Sequence, residues 1–357
     1  MEIKLKTQLL QDLVNKSVKG MGANKMLPIT EMIGININGP KISLLSTDGS
    51  NKVEIIGTIE GNSESIQVAV AGKTFANLVQ KTTTENVTLV FEDNKLTVKG
   101  NGTYTFPLSI DEDDDLVKMS PIDIEGLETK EVLSKDLKQS YDINKESVAL
   151  TMETPAFSGF YYDKDGAITT NSLKVSYVKN SLFNNPVLLF KSFAALFELI
   201  EEETVKVAEN NSSVFVITPT LIMKGQKKTE ILEFPTDQIK TLLNTEITHQ
   251  VRVNKQALLN LLERIALFIT PYDKNNIRID FTKDRMRVWT IDGSSNELLP
   301  YISSEDPIEN TMKVDITSFK ALVSSNPDEE LLIHYGHPDI IKMSFGLTVQ
   351  ALALSAN

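Results

Sequence analysis

The chain has 357 residues, a net charge of −12 and no cysteine. Its length allows two or three domains, and 41% hydrophobic residues is typical of an ordinary globular protein. The lack of cysteine excludes disulfides, thiol chemistry and cysteine-ligated zinc, and the acidic balance argues against binding nucleic acid by bulk electrostatic attraction. Because no apolar stretch is long enough to cross a membrane and the start has no signal-peptide region, we expect a cytoplasmic protein with no membrane partner.

The first third of the chain predicts a strand, a long helix, a short helix and a closing strand pair. Residues 2–6 alternate polar and apolar side chains as a strand does, and residues 9–14 place apolar side chains at helical steps. A shorter helix is predicted from near Lys73. Residues 87–91 then turn at residues 92–95 into a second strand, which predicts a hairpin.

The same order recurs twice more along the chain. An apolar run that ends in a polar turn lies at residues 42–50, 167–172 and 286–294. A long helix candidate precedes each run and a short one follows it; in the second and third copies these cover residues 133–141 and 258–265, and start near Lys191 and Ser318. The repeats predict an α+β fold of three like domains, each with two helices on antiparallel sheets, at residues 1–121, 122–246 and 247–357.

The sequence shows no catalytic constellation. His334 and His337 flank a predicted turn at Gly336, and such a pair is far more often accidental than a metal site. No phosphate-binding loop or nucleophile elbow is present. Asp48 and Asp292 suit turns, where the carboxylate caps backbone N–H groups and the glycine that follows takes φ > 0. We therefore predict no enzyme, no bound metal and no cofactor.

Short motifs follow one another along the first two repeats, at residues 26–29, 47–48, 70–75, 104–108, 157–160, 170–175 and 233–235. Together they resemble the bacterial-type sliding clamp, the β subunit of DNA polymerase III. No single motif is specific, but their order, their spacing and the threefold repeat make the combined resemblance strong, and it covers the whole chain. The third repeat rests on the pattern rather than on residue identity. Departures from the family in the peptide site and the C-terminal tail, given below, would suit a bacteriophage-encoded or accessory clamp.

The resemblance implies the DNA-clamp fold and a homodimer joined head to tail in a ring. A clamp of this family encircles duplex DNA without sequence preference, tethers the replicative polymerase, and binds the clamp loader and other proteins that carry a clamp motif. The implied junction sets Phe106 and Leu108 of one chain against Leu267 and Phe268 of the other. Packing inside one domain is the alternative for these four residues. Because Phe268 lies just before a helix-ending proline, the interface is favoured there.

The resemblance also implies weak phosphate contacts from inward-facing helices, which permit sliding along DNA. Basic residues recur on the helix candidates at equivalent positions in the three copies. Ordinary solvated helix faces are the alternative for any one of them, but the recurrence favours a shared surface, and an acidic rim would discourage nonspecific association. The candidates are Lys16, Lys19, Lys25, Lys73, Lys135, Lys138, Lys191, Lys255, Arg264 and Lys320.

The partner site of the family is a hydrophobic pocket between the second and third domains that takes a short linear peptide. In this sequence it would comprise Phe157, Thr170, Ser172, Leu173, Lys174, Val175, Pro235, Ile239 or Leu242, Leu352 and Leu354. Residues 171–175 read Asn-Ser-Leu-Lys-Val where bacterial clamps usually show Asp-Gly-His-Arg-Leu, and the tail lacks the usual Met-Pro and runs longer. We expect a pocket with a different peptide preference. The alternative for the two C-terminal leucines is that they complete the core of the third domain.

Two other functions are possible for such a chain. A monomeric adaptor would keep the fold and the pocket without the ring; polar residues at the four junction positions would favour it, and all four are apolar. A repeat-built enzyme would need a catalytic constellation that the sequence lacks. The sequence therefore favours a DNA polymerase processivity factor.

Overall fold

One order of elements occurs three times along the chain: a strand, a helix, four strands, a second helix and three strands, with a short extra strand in the third copy. The computed structural model describes residues 1–61, 64–150 and 153–356, so Asn357, the last residue of the predicted third domain, lies outside the described part. The described elements confirm the predicted α+β class.

The first repeat contains both predicted helices and the predicted hairpin. Its elements are β1 (Glu2–Lys6), α1 (Thr7–Val18), β2 (Met32–Asn38), β3 (Lys41–Thr47), β4 (Asn51–Thr58), β5 (Ser65–Ala71), α2 (Gly72–Lys81), β6 (Asn86–Glu92), β7 (Lys95–Lys99) and β8 (Thr103–Pro107). Leu10, Leu13 and Val14 bury one face of α1, as their helical spacing predicts. Between β6 and β7, Asp93 and Asn94 have φ of 48° and 55°, the left-handed conformation that a tight two-residue turn needs.

In the second repeat the long helix begins later than the sequence pattern indicated. The elements are β9 (Thr129–Leu133), α3 (Ser134–Asn144), β10 (Gly159–Tyr162), β11 (Ala167–Thr170), β12 (Lys174–Val178), β13 (Val187–Phe190), α4 (Lys191–Ala195), β14 (Thr204–Glu209), β15 (Ser213–Ile217) and β16 (Leu221–Gln226). Leu133 pairs with Thr204 at the end of β9, so it belongs to the sheet and not to the helix. A further helix, α5 (Thr236–Asn244), follows this repeat.

The third repeat has side-chain caps on both of its helices. Its elements are β17 (His249–Asn254), α6 (Lys255–Ala266), β18 (Asn276–Phe281), β19 (Arg285–Thr290), β20 (Asn296–Pro300), β21 (Ser303–Glu305), β22 (Asn310–Asp315), α7 (Ile316–Ser325), β23 (Glu330–Tyr335), β24 (Ile340–Phe345) and β25 (Thr348–Ala353). The Asn254 side chain accepts the N–H of Ala257 at 2.8 Å, and the Asp315 carboxylate accepts the N–H of Ser318 at 2.6 Å. These contacts satisfy N–H groups that have no partner inside the helix.

The chain forms two compact units, Met1–Ser134 with Ala195–Lys227, and Lys135–Ala194 with Lys228–Asn357. In the first unit, an eight-stranded antiparallel sheet has the order β5-β2-β3-β4-β16-β15-β14-β9, and a four-stranded sheet has the order β1-β6-β7-β8. β4 of the first repeat pairs with β16 of the second, with Ile55 opposite Leu221. Strands of two repeats therefore share one sheet.

The second unit has the same construction. A nine-stranded antiparallel sheet has the order β13-β10-β11-β12-β25-β24-β23-β17-β21, and a four-stranded sheet has the order β20-β19-β18-β22. β12 of the second repeat pairs with β25 of the third, with Lys174 opposite Leu352. The apolar faces of α6 and α7 pack with the inward side chains of β18, β19 and β23 in one large core.

Candidate functional site

The polar turns that end the repeated apolar runs are held by their own side chains. The Asp48 carboxylate accepts two backbone N–H groups at 2.8 and 2.7 Å, and the Asp292 carboxylate accepts one at 2.9 Å. Gly49 and Gly293 have φ of 99° and 76°. The predicted turn role of both aspartates is confirmed, because each carboxylate is engaged by the backbone of its own turn.

The equivalent turn between β11 and β12 carries the predicted peptide-site residues. The Asn171 side chain accepts the N–H groups of Leu173 at 3.1 Å and Lys174 at 2.9 Å. Ser172 occupies the left-handed position with φ of 75°, where the two other turns have glycine. Leu173 is 58% exposed at the tip of the turn. The turn thus presents an apolar side chain to solvent from a strained backbone.

Lys174 is buried beside this turn. The hydroxyl of Thr170 donates to the carbonyl of Lys174 at 3.0 Å, which ties the two strand ends together. Burial lowers the pKa of the Lys174 ammonium, although the charges of Glu146 and Asp315 act in the opposite direction. A buried lysine therefore follows the exposed Leu173 directly in the chain.

An apolar cluster lies next to the turn. Val175 on β12 and Ile239 on α5 belong to it, and Phe157 packs against it while remaining partly exposed. The rings of Phe234 and Tyr161 stack at 4.7 Å between centroids. The buried members are Ala156, Tyr161, Ile168, Val175, Tyr177, Leu188, Phe234, Ile239, Leu243 and Ala351.

Of the two predicted alternatives on α5, Ile239 is buried in the apolar cluster. Leu243, one helical turn further on, shares its buried face, whereas Leu242 is only half-buried. Pro235 is half-buried just before the helix. The four-residue step from Ile239 to Leu243 is the sequence signal that could have identified Leu243.

The structure corrects the position of the C-terminal leucines. Leu352 is 1% exposed and lies in the core of the third repeat, and Leu354 packs against that same core. Because side chains alternate along β25, Val349 and Ala351 point to the opposite face and join the cluster with Val175. The sequence pattern placed the two leucines on one face correctly, but that face is the core.

The basic candidates divide into paired and unpaired side chains. Lys16 contacts Asp12 at 3.0 Å and Glu201 at 2.8 Å. Burial opposes protonation of Lys16, but hydrogen bonds to both carboxylates raise its pKa overall. Arg264 forms a bidentate pair with Glu297 at 2.8 and 2.7 Å. Each of these two cations therefore already has a carboxylate partner within the protomer.

Three further candidates also have partners. Lys320 contacts Glu263 at 3.0 Å. The ammonium groups of Lys255 and Lys191 donate to backbone carbonyls at 2.7 and 3.5 Å. Within the described ranges, the candidates with neither an ion pair nor a side-chain hydrogen bond are Lys19, Lys25, Lys73, Lys135 and Lys138, of which Lys25 lies in a turn and not on a helix.

The four junction residues fall into two classes. Phe106 is 8% exposed and its ring meets that of Phe75 edge-on at 5.8 Å between centroids, and Leu108 is also buried. Phe106 and Leu108 are therefore packed inside the single protomer, which was the alternative to an interface position. Leu267 is 81% exposed and Phe268 is 51% exposed. The exposed apolar pair follows the end of α6.

The histidines have structural partners. His334 Nε2 lies 2.7 Å from the hydroxyl of Ser344, and His337 Nδ1 accepts the N–H of Asp339 at 3.1 Å. Over the described ranges, no three metal-ligating side chains come together. None of the described helices combines the length and the apolar character needed to cross a membrane.

The threefold order of elements, with edge strands of successive repeats joined in common sheets, defines the class of DNA clamps. Solved clamps share the fold along the whole chain: the β subunit of the Streptococcus pyogenes DNA polymerase matches with a TM-score of 0.87 at 17% identity, over 100% of both chains. DNA polymerase III subunit beta from Borrelia burgdorferi matches with a TM-score of 0.87 at 15% identity, over 100% of this chain and 98% of that chain.

Sequence comparison narrows the class to a family. Residues 1–120 match the family described as the N-terminal domain of the DNA polymerase III beta subunit. The beta sliding clamp of Halalkalibacterium halodurans is 25% identical over 289 residues, which cover 74% of this chain and 73% of that protein. Residues 1–120 thus match the sliding-clamp family in sequence, and the whole chain shares the fold of the bacterial sliding clamps that its motifs predicted. Proteins of this family are non-catalytic processivity factors, which agrees with the prediction that the chain is not an enzyme.

Proposed function

We propose that two copies of this chain close into a cytoplasmic ring that slides on duplex DNA, tethers a replicative polymerase and recruits the clamp loader and other clamp-motif proteins. The proposed domains are residues 1–121, 122–246 and 247–357. The observation that carries the proposal is the strand pairing between repeats. In each pairing, the third strand after a repeat's long helix meets the last strand of the following repeat: β4 with β16, and β12 with β25.

The same rule leaves one strand of each kind without such a partner. β20 is the third strand after α6, and β8 is the last strand of the first repeat; both are edges of their four-stranded sheets. An exposed edge invites pairing with another chain. If β20 of one chain pairs with β8 of the next, two chains use all their edges of this kind and close a ring of six repeats.

Apolar side chains support this junction. Leu298 on β20 and Tyr104 on β8 are both exposed, and so are Leu267 and Phe268 after α6. Exposed apolar residues near a free strand edge favour association over solvation. Phe106 in β8 and Leu108 just after it are already buried in the protomer. They therefore support the junction by anchoring β8 to its own domain.

The unpaired lysines support weak, sequence-independent contacts with DNA. Lys73 lies in α2, and Lys135 and Lys138 lie in α3. Lys19 ends α1. Ammonium groups without carboxylate partners can contact phosphates without first breaking an ion pair, and topological linkage removes the need for tight binding.

The surface around the β11–β12 turn supports peptide binding. Exposed Leu173 and partly exposed Phe157 and Val349 border a cluster that is otherwise buried. A few such apolar contacts carry most of the binding energy of a short peptide. We propose that they take the apolar residues of a partner's linear motif.

A covalent link tests the ring directly. Because the chain has no cysteine, Tyr104→Cys and Leu298→Cys in one chain place the only two thiols on β8 and β20. We expect a short bismaleimide to give a covalently closed dimer. When the cross-linker is added after incubation with nicked plasmid, the linked ring should resist about 1 M salt, where the Debye length is about 3 Å, and should be released when the plasmid is cut.

The matched control joins Tyr104→Cys with Leu347→Cys, an exposed position on the β24–β25 turn, and should give no closed dimer. A pair at positions 104 and 298 that yields no dimer would contradict the ring. A closed dimer that leaves the uncut circle at high salt would contradict encirclement and would favour an adaptor that binds proteins without enclosing DNA.

A further inference from the structure

The helix α5 forms one wall of the apolar cluster next to the β11–β12 turn, yet it is short. It has nine residues, and its N-cap position, Pro235, makes no side-chain cap hydrogen bond. A helix of this length is marginal by itself, so its position depends on tertiary contacts. Ile239 and Leu243 supply the apolar contact on one side.

The C-terminal end of α5 is fixed by a buried lysine. The Lys342 ammonium on β24 donates to the carbonyls of Leu243 at 2.9 Å and Thr245 at 2.7 Å. A cation at this end satisfies carbonyls that have no helical partner and complements the helix dipole. Burial lowers the pKa of Lys342.

An ion pair also holds α5. A cavity of about 500 Å³ borders it, lined among others by Tyr161, Leu232 and Phe234. Lys240, Asp163 and Asp165 also line this cavity. The Lys240 ammonium contacts Asp163 at 2.7 Å and Asp165 at 2.9 Å. Lys240 follows Ile239 directly, so the ion pair restrains the backbone that carries the apolar wall.

The acceptor of this contact is itself rigid. Asp163, whose side chain is 9% exposed, also accepts the N–H groups of Asp165 at 2.8 Å and Gly166 at 3.0 Å. Its carboxylate therefore cannot follow Lys240 without breaking the β10–β11 turn. A fixed, mostly buried acceptor makes the pair stronger than an exposed one.

We infer that Lys240 is a positioning residue for the peptide site. Through its contacts with Asp163 and Asp165 it fixes the first half of α5, and this holds Ile239 in the apolar cluster with Val175 before a peptide binds. This inference rests on the proposed peptide binding. Lys240 is paired with Asp163 and Asp165, so it acts on the site through these carboxylates and the backbone of α5. The ligand class is a linear peptide whose apolar residues need a preformed wall.

The test compares three variants of the full chain. Lys240→Met removes the charge, Lys240→Arg keeps it, and Lys164→Met removes a neighbouring exposed charge that forms no ion pair in the described structure. Hydrogen exchange of residues 236–244 reports on α5 without a ligand. Fluorescence anisotropy with a labelled decapeptide ending in Leu-Phe reports on binding.

With Lys240→Met we expect faster exchange in α5 alone and about fivefold weaker peptide binding, from the value of a partly buried ion pair. About 1 M salt should reduce the difference from the wild type. Lys240→Arg, which keeps the charge, should bind more tightly than Lys240→Met, and Lys164→Met, a surface change, should stay within about twofold of the wild type. If Lys240→Met loses protection throughout the chain, its role is merely structural at that position. The variant Asp165→Asn is a milder change, because Asp165 is a half-exposed partner of Lys240. It should accelerate hydrogen exchange in α5 only.

Two results overturn the inference separately from the proposed function. If the wild type binds the peptide and Lys240→Met binds equally well, the positioning role is wrong and peptide binding stands. If the wild type does not bind, the peptide site and the role of Lys240 in it both fail. Unchanged exchange of α5 in Lys240→Met and Asp165→Asn also overturns the inference.

Discussion

The exposed pair Leu267 and Phe268 gives the sharpest test of self-association. We expect Leu267→Ser with Phe268→Ser to convert the dimer into a folded monomer. Both side chains follow the end of α6 and are largely in water in the protomer, so removing them costs the protomer little. Phe106→Ala is a poor alternative, because Phe106 packs on Phe75 and its loss would destabilise the fold by about 3–5 kcal/mol.

The exposed fractions set the magnitude. Burying a Leu or Phe side chain fully contributes about 1.5–3 kcal/mol. Scaled by exposures of 81% and 51%, the pair contributes about 2–4 kcal/mol at each junction. A ring of two chains has two junctions, so the double variant loses about 4–8 kcal/mol of dimerisation free energy. That weakens the dimer by at least about a thousandfold.

Sedimentation equilibrium measures the dissociation constant, and urea unfolding checks that the monomer is folded. Leu347→Ser, which removes a 66% exposed leucine from the β24–β25 turn, is the control and should leave dimerisation unchanged. A double variant whose dissociation constant stays within about tenfold of the wild type, a change of only about 1.4 kcal/mol, would refute the role of this pair. A wild-type chain that is monomeric throughout would refute the ring.

Three further predictions use other parts of the structure. Ser172→Gly should stabilise the chain by about 0.5 kcal/mol and Ser172→Val should destabilise it, because φ is 75°; equal urea midpoints would contradict this. Burial lowers the pKa of His334 below 6.5, so stability should fall as pH drops below that value, and His334→Asn should weaken the pH dependence of the urea midpoint. Lys73→Gln should lower the salt slope of DNA binding by about 0.9, whereas paired Lys16→Gln should not.

Local periodicity was enough to predict most elements. Helical spacing identified α1, α2 and α6, and period-two alternation with a polar turn identified the β6–β7 hairpin. The turn roles of Asp48 and Asp292 also follow from sequence alone, because each carboxylate bonds to N–H groups of its own turn. Such features depend on contacts within a few residues, which the sequence displays directly.

The candidate site depended on contacts that the sequence does not display. Alternation along the chain places Leu352 and Leu354 on one face, but it does not say whether that face meets the core or the peptide site. The pairing of β25 between β12 and β24 decides this. Lys16 is less available to DNA because it pairs with Glu201, which is 185 residues away along the chain. The sequence by itself therefore determined the repeated elements and the family, through local spacing and residue order. Only the tertiary structure decided which face is buried, which cations are neutralised and which strand edges remain free, because each of these depends on partners that are distant along the chain.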